Sequence, residues 1–574
     1  MRVLPDWLSR YPRQHLSDDV VAGLVVGILV IPQSLGYALL AGLPPVYGLY
    51  AAILPVLAYA WVGSSNTQAV GPVAITSMMT AQALLPIVSP QEVSSYAAYA
   101  GLLAVLSGLI LGLAGVLRLG WLTQLMSRGV VAGFITGAAL LIMVSQSKYL
   151  LGVSFDSQTL LTTFQTLPSQ LPHTHQLTLL MGVLTLLFLV WAKRQLNTLL
   201  LHLGLSTRAA SLLSRMAPLL SVAVSTLLCG YLALDQAGVA IIGQIPAGLP
   251  TLGLPALPTP QTLINLIPTA TLIALIGFIS SASVAQEFAL RRRESFDANR
   301  ELIGLGVANL AGALMKGFPV SGGFSRTAVN VEAGAQTPLA GVISALVMVL
   351  VLLAFTSWFY CLPYAVLGAG IIAAVTNLVD LNTLKQAWQY DRSDAWAYLI
   401  TASGVLLFGL QVGLIAGVLL SFAAILYRSS QPHCAVVGQY GSQGHFRNVE
   451  RYDVKTWPNL LLFRIDERLF FGNTRSVQEH LNQALASRPE VQHVVLILSA
   501  VNSIDLSAQL MLEELSRNLQ ARQITLHLAE IKGPVMDAIQ DTPAIKHLNG
   551  QVFLSTLDAV NQLKPRLSDP EYHL

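Results

Sequence analysis

The chain has 574 residues, of which 54% are hydrophobic and 11% charged, with a formal net charge of +3 at pH 7. Its apolar residues gather into blocks of membrane-spanning length, which excludes an ordinary soluble globule. The three cysteines, Cys229, Cys361 and Cys434, are too few and too apolar in setting for a disulfide or metal framework, and the small positive balance follows loop sidedness rather than a nucleic-acid-binding surface.

Residues 1–19 read as a cytoplasmic segment and 20–428 as an α-helical transmembrane domain. Spans are expected at 20–42, 46–63, 71–86, 96–117, 130–148, 174–193, 216–234, 261–287, 301–315, 323–332, 338–357, 361–379, 393–410 and 412–428, fourteen in all, the third and tenth too short to cross alone. The first block follows basic residues as a signal peptide would, but thirteen more follow it, so it reads as a retained span. Short cytoplasmic loops should hold the excess of lysine and arginine. Arg2, Arg10 and Arg13 precede the first span, and loops after even-numbered spans hold Arg118, Arg128, Lys193, Arg194, Arg208, Arg215, Arg291, Arg292, Arg293, Arg300, Lys385 and Arg392. The opposite loops offer Lys148 and Lys316 alone. Both termini are therefore assigned to the cytoplasm, and the chain to a bacterial inner (plasma) membrane.

After Arg428 charged residues return. A linker is expected at 429–444, a small α/β domain at 445–568 and a tail at 569–574. Strands are expected at Asn459–Ile465, Leu469–Gly472, Val491–Leu498, Ile524–Leu528 and Val552–Ser555, and helices at Thr474–Ala486, Ser507–Gln520, Pro534–Ile539 and Thr556–Leu563.

Two glycine-broken stretches inside the apolar region carry the chemistry: Ala69–Met78, with Gly71 and Pro72, and Phe318–Asn330, with Gly322, Gly323 and Arg326. A guanidinium at bilayer depth costs roughly 2.5 to 3.5 kcal/mol, so Arg326 should face a partner or a water-filled cavity. A helix beginning at mid-membrane leaves its first N–H groups without partners, and hydrocarbon supplies none. Two such starts near Gly71 and Gly323, aimed at each other, would converge partial positive charge on one volume. Each contributes about 0.3 to 1 kcal/mol, or about 2 kcal/mol when buried. Arg326 would add a full charge, Ser321, Ser325 and Thr327 neutral donors, and Pro72 would stand as an N1 proline. Gln33 and Tyr37, four apart on the first span, would close the site from the side. The competing reading has the glycines merely kink packed helices and Arg326 pair with an acid such as Glu332. Paired broken segments of this kind mark the midplane site of secondary transporters.

The motifs Pro32-Gln-Ser-Leu-Gly-Tyr-Ala-Leu-Leu-Ala-Gly-Leu-Pro-Pro-Val-Tyr-Gly-Leu-Tyr50, Gly71-Pro-Val-Ala74, Asn299-Arg-Glu-Leu-Ile-Gly-Leu-Gly306 and Phe324-Ser-Arg-Thr-Ala-Val-Asn330 make the chain resemble the sulfate permease (SulP) family of anion transporters. Its C-terminal region resembles a STAS domain. The resemblance covers nearly the whole chain. It implies seven-plus-seven inverted repeats, here about 20–235 and 261–428, core and gate subdomains moving as an elevator, and a homodimer. It implies an anion, sulfate favoured, held by Gln33, Tyr37, Pro72, Val73, Ala74, Gly323, Phe324, Ser325 and Arg326. Many proton- or sodium-coupled relatives place a carboxylate in the eighth span, where this chain has Ser280. A serine cannot titrate, which turns expectation toward exchange or toward coupling through another group. In the STAS region Ser507 aligns with the serine phosphorylated in anti-sigma-factor antagonists, while Asp505 suits a helix N-cap. The domain also offers a surface for a cytoplasmic protein partner.

The alternatives on the same fold are a bicarbonate, chloride or dicarboxylate exchanger and an uncoupled anion channel. A nucleobase transporter would use carboxylates in the eighth and tenth spans, where this chain has serine and arginine. A non-transporting scaffold that signals through the STAS domain is the reading from another class. No nucleotide cradle, metal-spaced cluster or nucleophile–base pair is found, so enzymatic activity, cofactor and metal are not expected.

Overall fold

The computed structural model describes residues 5–9, 11–124, 127–255, 259–441, 444–564 and 572–573. Arg2, Arg10, the side chain of Arg208 and the expected tail apart from 572–573 lie outside the described residues. The chain divides into two compact units, Met1–Ser421 and Phe422–Leu574.

Every expected span of the first unit carries helix. Among the described residues, eight helices are long and apolar enough to cross a membrane, or nine if Ala209–Arg215 and Ala217–Tyr231, bent by 51°, form one span. The other expected spans fall on shorter helices, so fourteen is not a count that helix length alone supports. The elements that build the site are α1 (Leu16–Leu40), α2 (Leu54–Val62), β1 (Val70–Gly71), α3 (Ala74–Leu84), α4 (Val93–Val116), α5 (Pro260–Arg292), α6 (Ala298–Leu314), β2 (Ser321–Gly322) and α7 (Phe324–Glu332).

Helices that are apolar on all sides cannot be positioned by an amphipathic stripe, and small residues at their crossings do it instead. A methyl group on Gly306 of α6 would stand 2.7 Å from the backbone nitrogen of Gly112 in α4, and one on Gly304 would stand 2.7 Å from Cα of Gly63. The α6 backbone therefore touches two neighbours directly. β1 and β2 pair antiparallel, Val70 opposite Gly322 and Gly71 opposite Ser321, which ties two stretches about 250 residues apart at the start of their half-helices.

The second unit is a mixed sheet of β3 (Cys434–Tyr440), β4 (His445–Asn448), β5 (Lys455–Thr456), β6 (Leu460–Ile465), β7 (His493–Ile497), β8 (Thr525–Ala529), β9 (Val552–Phe553) and β10 (Tyr572–His573). The order is β10-β5-β3-β6-β7-β8-β9, with β4 on β3, and β6 to β9 run parallel. Successive residues alternate between two cores: Leu461, Phe463, Val494, Leu496, Leu526 and Leu528 pack on one face, Leu460, Leu462, Val495 and Ile497 on the other. Two expectations are corrected here. The stretch 429–444, expected as a linker, contains β3, whose Ala435 and Val437 are buried against the sheet. The strand expected at Leu469–Gly472 reduces to one bridge, Leu469 to Ile504, because the chain turns directly into the helix Thr474–Ala486.

Candidate functional site

The β1–β2 pair holds the chain extended up to each half-helix. Val73 (φ −133°, ψ 152°) is the N-cap of α3 and Gly323 (φ −104°, ψ 122°) that of α7, and neither supplies a side-chain cap. Both helices thus start with uncapped N–H groups beside the same strand pair. Pro72 is not the N1 proline that its position suggested: strand pairing keeps the backbone extended to Val73, and the helix begins at Ala74. What Pro72 contributes is its carbonyl.

That carbonyl accepts a hydrogen bond of 2.5 Å from Nη2 of Arg326. Arg326 is 3% exposed and folds back across the strand pair. A methyl on Gly71 would stand 2.6 Å from its Nη1, and one on Gly323 would stand 3.1 Å from its Nε. Gly71 also has φ +152°, which side-chain-bearing residues rarely adopt. No carboxylate stands within ion-pair distance of Arg326 among the described residues, and Glu332, its expected competitor, pairs with Arg215 instead. The Pro72 bond occupies one of the five guanidinium N–H groups.

Two of the three hydroxyls expected at the site, those of Ser321 and Thr327, have backbone partners. Ser321 Oγ donates to the Gly277 carbonyl at 2.6 Å, and Thr327 Oγ1 accepts from the Ala69 N–H at 3.1 Å. Thr76 and Ser77 in the first turn of α3 both donate to the Val73 carbonyl. Phe324 and Ser325 are exposed, so the start of α7 is accessible while Arg326 behind it is not. Phe324 stacks at 6.0 Å from Phe288 of α5. On α1, Tyr37 is buried within electrostatic reach of Arg326, while Gln33 Oε1 and Ser34 Oγ are buried with no hydrogen-bond partner. Ser280 is half-buried on α5. A cavity of about 410 Å³ lies at the far end of α3, around Ala81 and Leu85, with Lys148, Tyr149 and Tyr364 on its wall.

The sequence reading missed the polar layer behind the strand pair. Glu301, on α6, is fully buried and accepts from Tyr59 and Ser64 at Oε2, each at 2.6 Å, and from Ser281 at Oε1, at 2.8 Å. Gln68 donates to both the hydroxyl and the carbonyl of Ser281. Its one signal in the sequence is an acid at the edge of an apolar run, where a span is expected to start at 301.

In the second unit Asp505 caps the helix α8 (Leu506–Ala521), accepting from the Ala508 N–H at 2.9 Å, and its other oxygen accepts from the Phe471 N–H at 2.8 Å. Ser507 lies exposed in the first turn.

Residues 16–401 match the sulfate permease family and residues 451–559 the STAS domain. The chain is 33% identical to the chloroplastic sulfate transporter 4.1 of Arabidopsis thaliana, over 91% of this chain and 76% of that one. It is also 33% identical to a probable sulfate transporter of Mycobacterium tuberculosis, over 97% of each. Its fold is similar to that of the murine solute carrier 26 family member A9 anion transporter in the inward-facing state, with TM-score 0.88, 23% identity and coverage of 98% and 94%. The transmembrane domain of a cyanobacterium bicarbonate transporter is similar at TM-score 0.59 and 20% identity, over 72% of this chain and 98% of that one. The α-helical membrane unit followed by a STAS domain places the chain plainly: it belongs to the sulfate permease family, whose members are transporters rather than enzymes.

Proposed function

We propose that this chain is a secondary transporter that moves a small anion, sulfate first, across the inner membrane of a bacterium, with the anion seated between the starts of α3 and α7. The observation that carries this reading is Arg326, buried without a carboxylate and held over the strand pair from which two uncapped helices begin. Two helix ends of about half a charge each and one guanidinium supply about two positive charges to one small volume, which suits a divalent oxyanion. The sulfate transporters among its relatives support the choice of substrate.

The same reading includes fourteen spans in two inverted repeats of seven, both termini and the STAS domain in the cytoplasm, a homodimer, and a core carrying α3 and α7 past a gate as an elevator. Gln33 and Tyr37 close the site from α1, and the unpaired Gln33 Oε1 is an acceptor that water accompanying the anion would satisfy. Bicarbonate, chloride and dicarboxylates are the competing substrates. The deciding experiment is uptake of labelled sulfate into proteoliposomes with each of these as competitor. Saturable uptake that sulfate itself competes best supports the assignment; uptake abolished by bicarbonate and indifferent to unlabelled sulfate reassigns the substrate.

A further inference from the structure

Gly322 and Gly323 are consecutive, and in extended backbone consecutive Cβ positions point to opposite sides. A methyl on Gly323 would meet Arg326, whereas one on Gly322 would fall on the Gln68 amide and stand 2.5 Å from Ser281 Oγ. The strand therefore has the proposed anion site on one side and the Gln68–Ser281–Glu301 layer on the other. Glu301 lies behind the strand, reached from Gly322 through Ser281, whose hydroxyl donates to it at 2.8 Å, and it has no cation within ion-pair distance among the described residues.

We propose that Glu301 is the proton-binding group that couples proton movement to the transport of a divalent anion, in place of the carboxylate that Ser280 lacks. This rests on the anion-transport reading above. With Glu301 ionised the site offers a net of about one positive charge, and with Glu301 protonated about two, from two helix ends and one guanidinium. A doubly charged anion favours the protonated state and a singly charged one the ionised state. By linkage the bound anion raises the proton affinity of Glu301 by the same factor that the proton raises anion affinity.

The hydrogen bonds provide for both states. In the ionised state Tyr59, Ser64 and Ser281 all donate to the carboxylate. When a proton sits on Oε2, that oxygen donates to Tyr59 Oη, and the Tyr59 hydroxyl turns to Gln68 Oε1, already 3.3 Å away. No donor or acceptor is orphaned by the exchange. Gln68 leads into Ala69 and β1, so the rearrangement reaches the strand that begins the site. Ser64 belongs to a half-exposed loop, one hydroxyl away from the surface, which gives the proton a route. Tyr59 on α2 is the titratable group facing Glu301. Tyr96 and Tyr99 are the sole titratable residues of α4, and the Tyr96 hydroxyl is committed to the Ala41 carbonyl. On α5, Glu287 pairs with Arg291 and Arg292 with Glu294; Arg300, beside Glu301, donates to the Val62 carbonyl.

The test uses the full chain in proteoliposomes with labelled sulfate. Exchange of sulfate for sulfate without any gradient reports on the anion-transport reading; accumulation driven by an inward proton gradient reports on this inference. The wild type should accumulate sulfate with a rate that rises up to about tenfold per unit of external acidification until the group saturates. Glu301→Gln should retain gradient-free exchange and lose the response to the proton gradient. Ser281→Ala removes one donor to the carboxylate, so the midpoint of the pH response should move up by up to about one pH unit. Exchange with no response to the proton gradient in the wild type, a wild-type response in Glu301→Gln, or an unmoved midpoint in Ser281→Ala each overturns the inference while leaving the transport reading standing. Absent gradient-free exchange in the wild type overturns both.

Discussion

The chain starts helices in two ways, and the contrast separates the proposed anion site from a structural joint. In the soluble unit, α8 opens on Asp505, whose carboxylate takes the Ala508 N–H and also ties down Phe471. In the membrane unit, α3 and α7 open on Val73 and Gly323, which have no side chain to offer. A helix start already neutralised by its own carboxylate gains little from an anion, and a phosphate on Ser507 would meet Asp505 as a like charge. Water can complete the solvent-facing α8 start, but uncapped starts in an apolar unit need an acceptor from outside the helix. The Pro72 carbonyl goes to Arg326, not to the helices, so their need is left standing.

The sharpest way to break this contrast is Arg326→Ala. Removing the cation from a buried site should lower sulfate uptake by about 100-fold or more, measured as initial rate in proteoliposomes. Near-normal kinetics would mean that the half-helix starts alone hold the substrate. Gly71→Ala comes next: its new methyl would collide with Nη1 at 2.6 Å, in a backbone conformation that suits glycine. About a tenfold loss of uptake is expected from strain of this order, and full activity would show that Arg326 does not need its place over Gly71.

On the other side of the comparison, Asp505→Ala should cost the soluble unit about 1 to 2 kcal/mol, through the lost cap and the lost Phe471 bond. Hydrogen exchange of α8 in the full-length protein would read this as faster exchange, with sulfate uptake unchanged. Unaltered protection of α8 would remove the cap from the account. The smallest effect is assigned to Pro72→Ala. The carbonyl that Arg326 uses is retained, so uptake should stay within about twofold of wild type, the change arising from backbone freedom alone. A loss as large as that of Arg326→Ala would restore a direct part for the proline ring.

The meeting of Arg326 with the two broken stretches could be read from residues because burying a guanidinium is expensive and glycine-broken apolar runs are rare. Arg326, Gly71 and Gly323 carry that signal by themselves. Polar residues with several available partners do not. Ser321 and Thr327 read as site donors from sequence, and what a hydroxyl faces depends on which backbone group the fold brings to it: the Gly277 carbonyl for Ser321 and the Ala69 N–H for Thr327. Glu301 gives no such signal for the same reason, since its partners Tyr59, Ser64 and Ser281 come from residues 20 to 242 positions away. In the second unit, β7 declares itself as a short unbroken apolar run and β8 through apolar alternation, whereas β3 stands beside the end of the preceding helix and becomes a strand through its pairing with β6.

Composition and loop charge by themselves determined that this is a polytopic membrane chain with a soluble α/β domain behind it, because the hydrocarbon core sorts residues by polarity at a scale of whole segments. The tertiary structure decided how the two broken stretches meet. Pairing of Val70 with Gly322 sets where α3 begins, turns the Pro72 carbonyl toward Arg326 and puts Glu301 behind the strand. Those outcomes depend on contacts between residues about 250 apart in sequence, and no local preference encodes them.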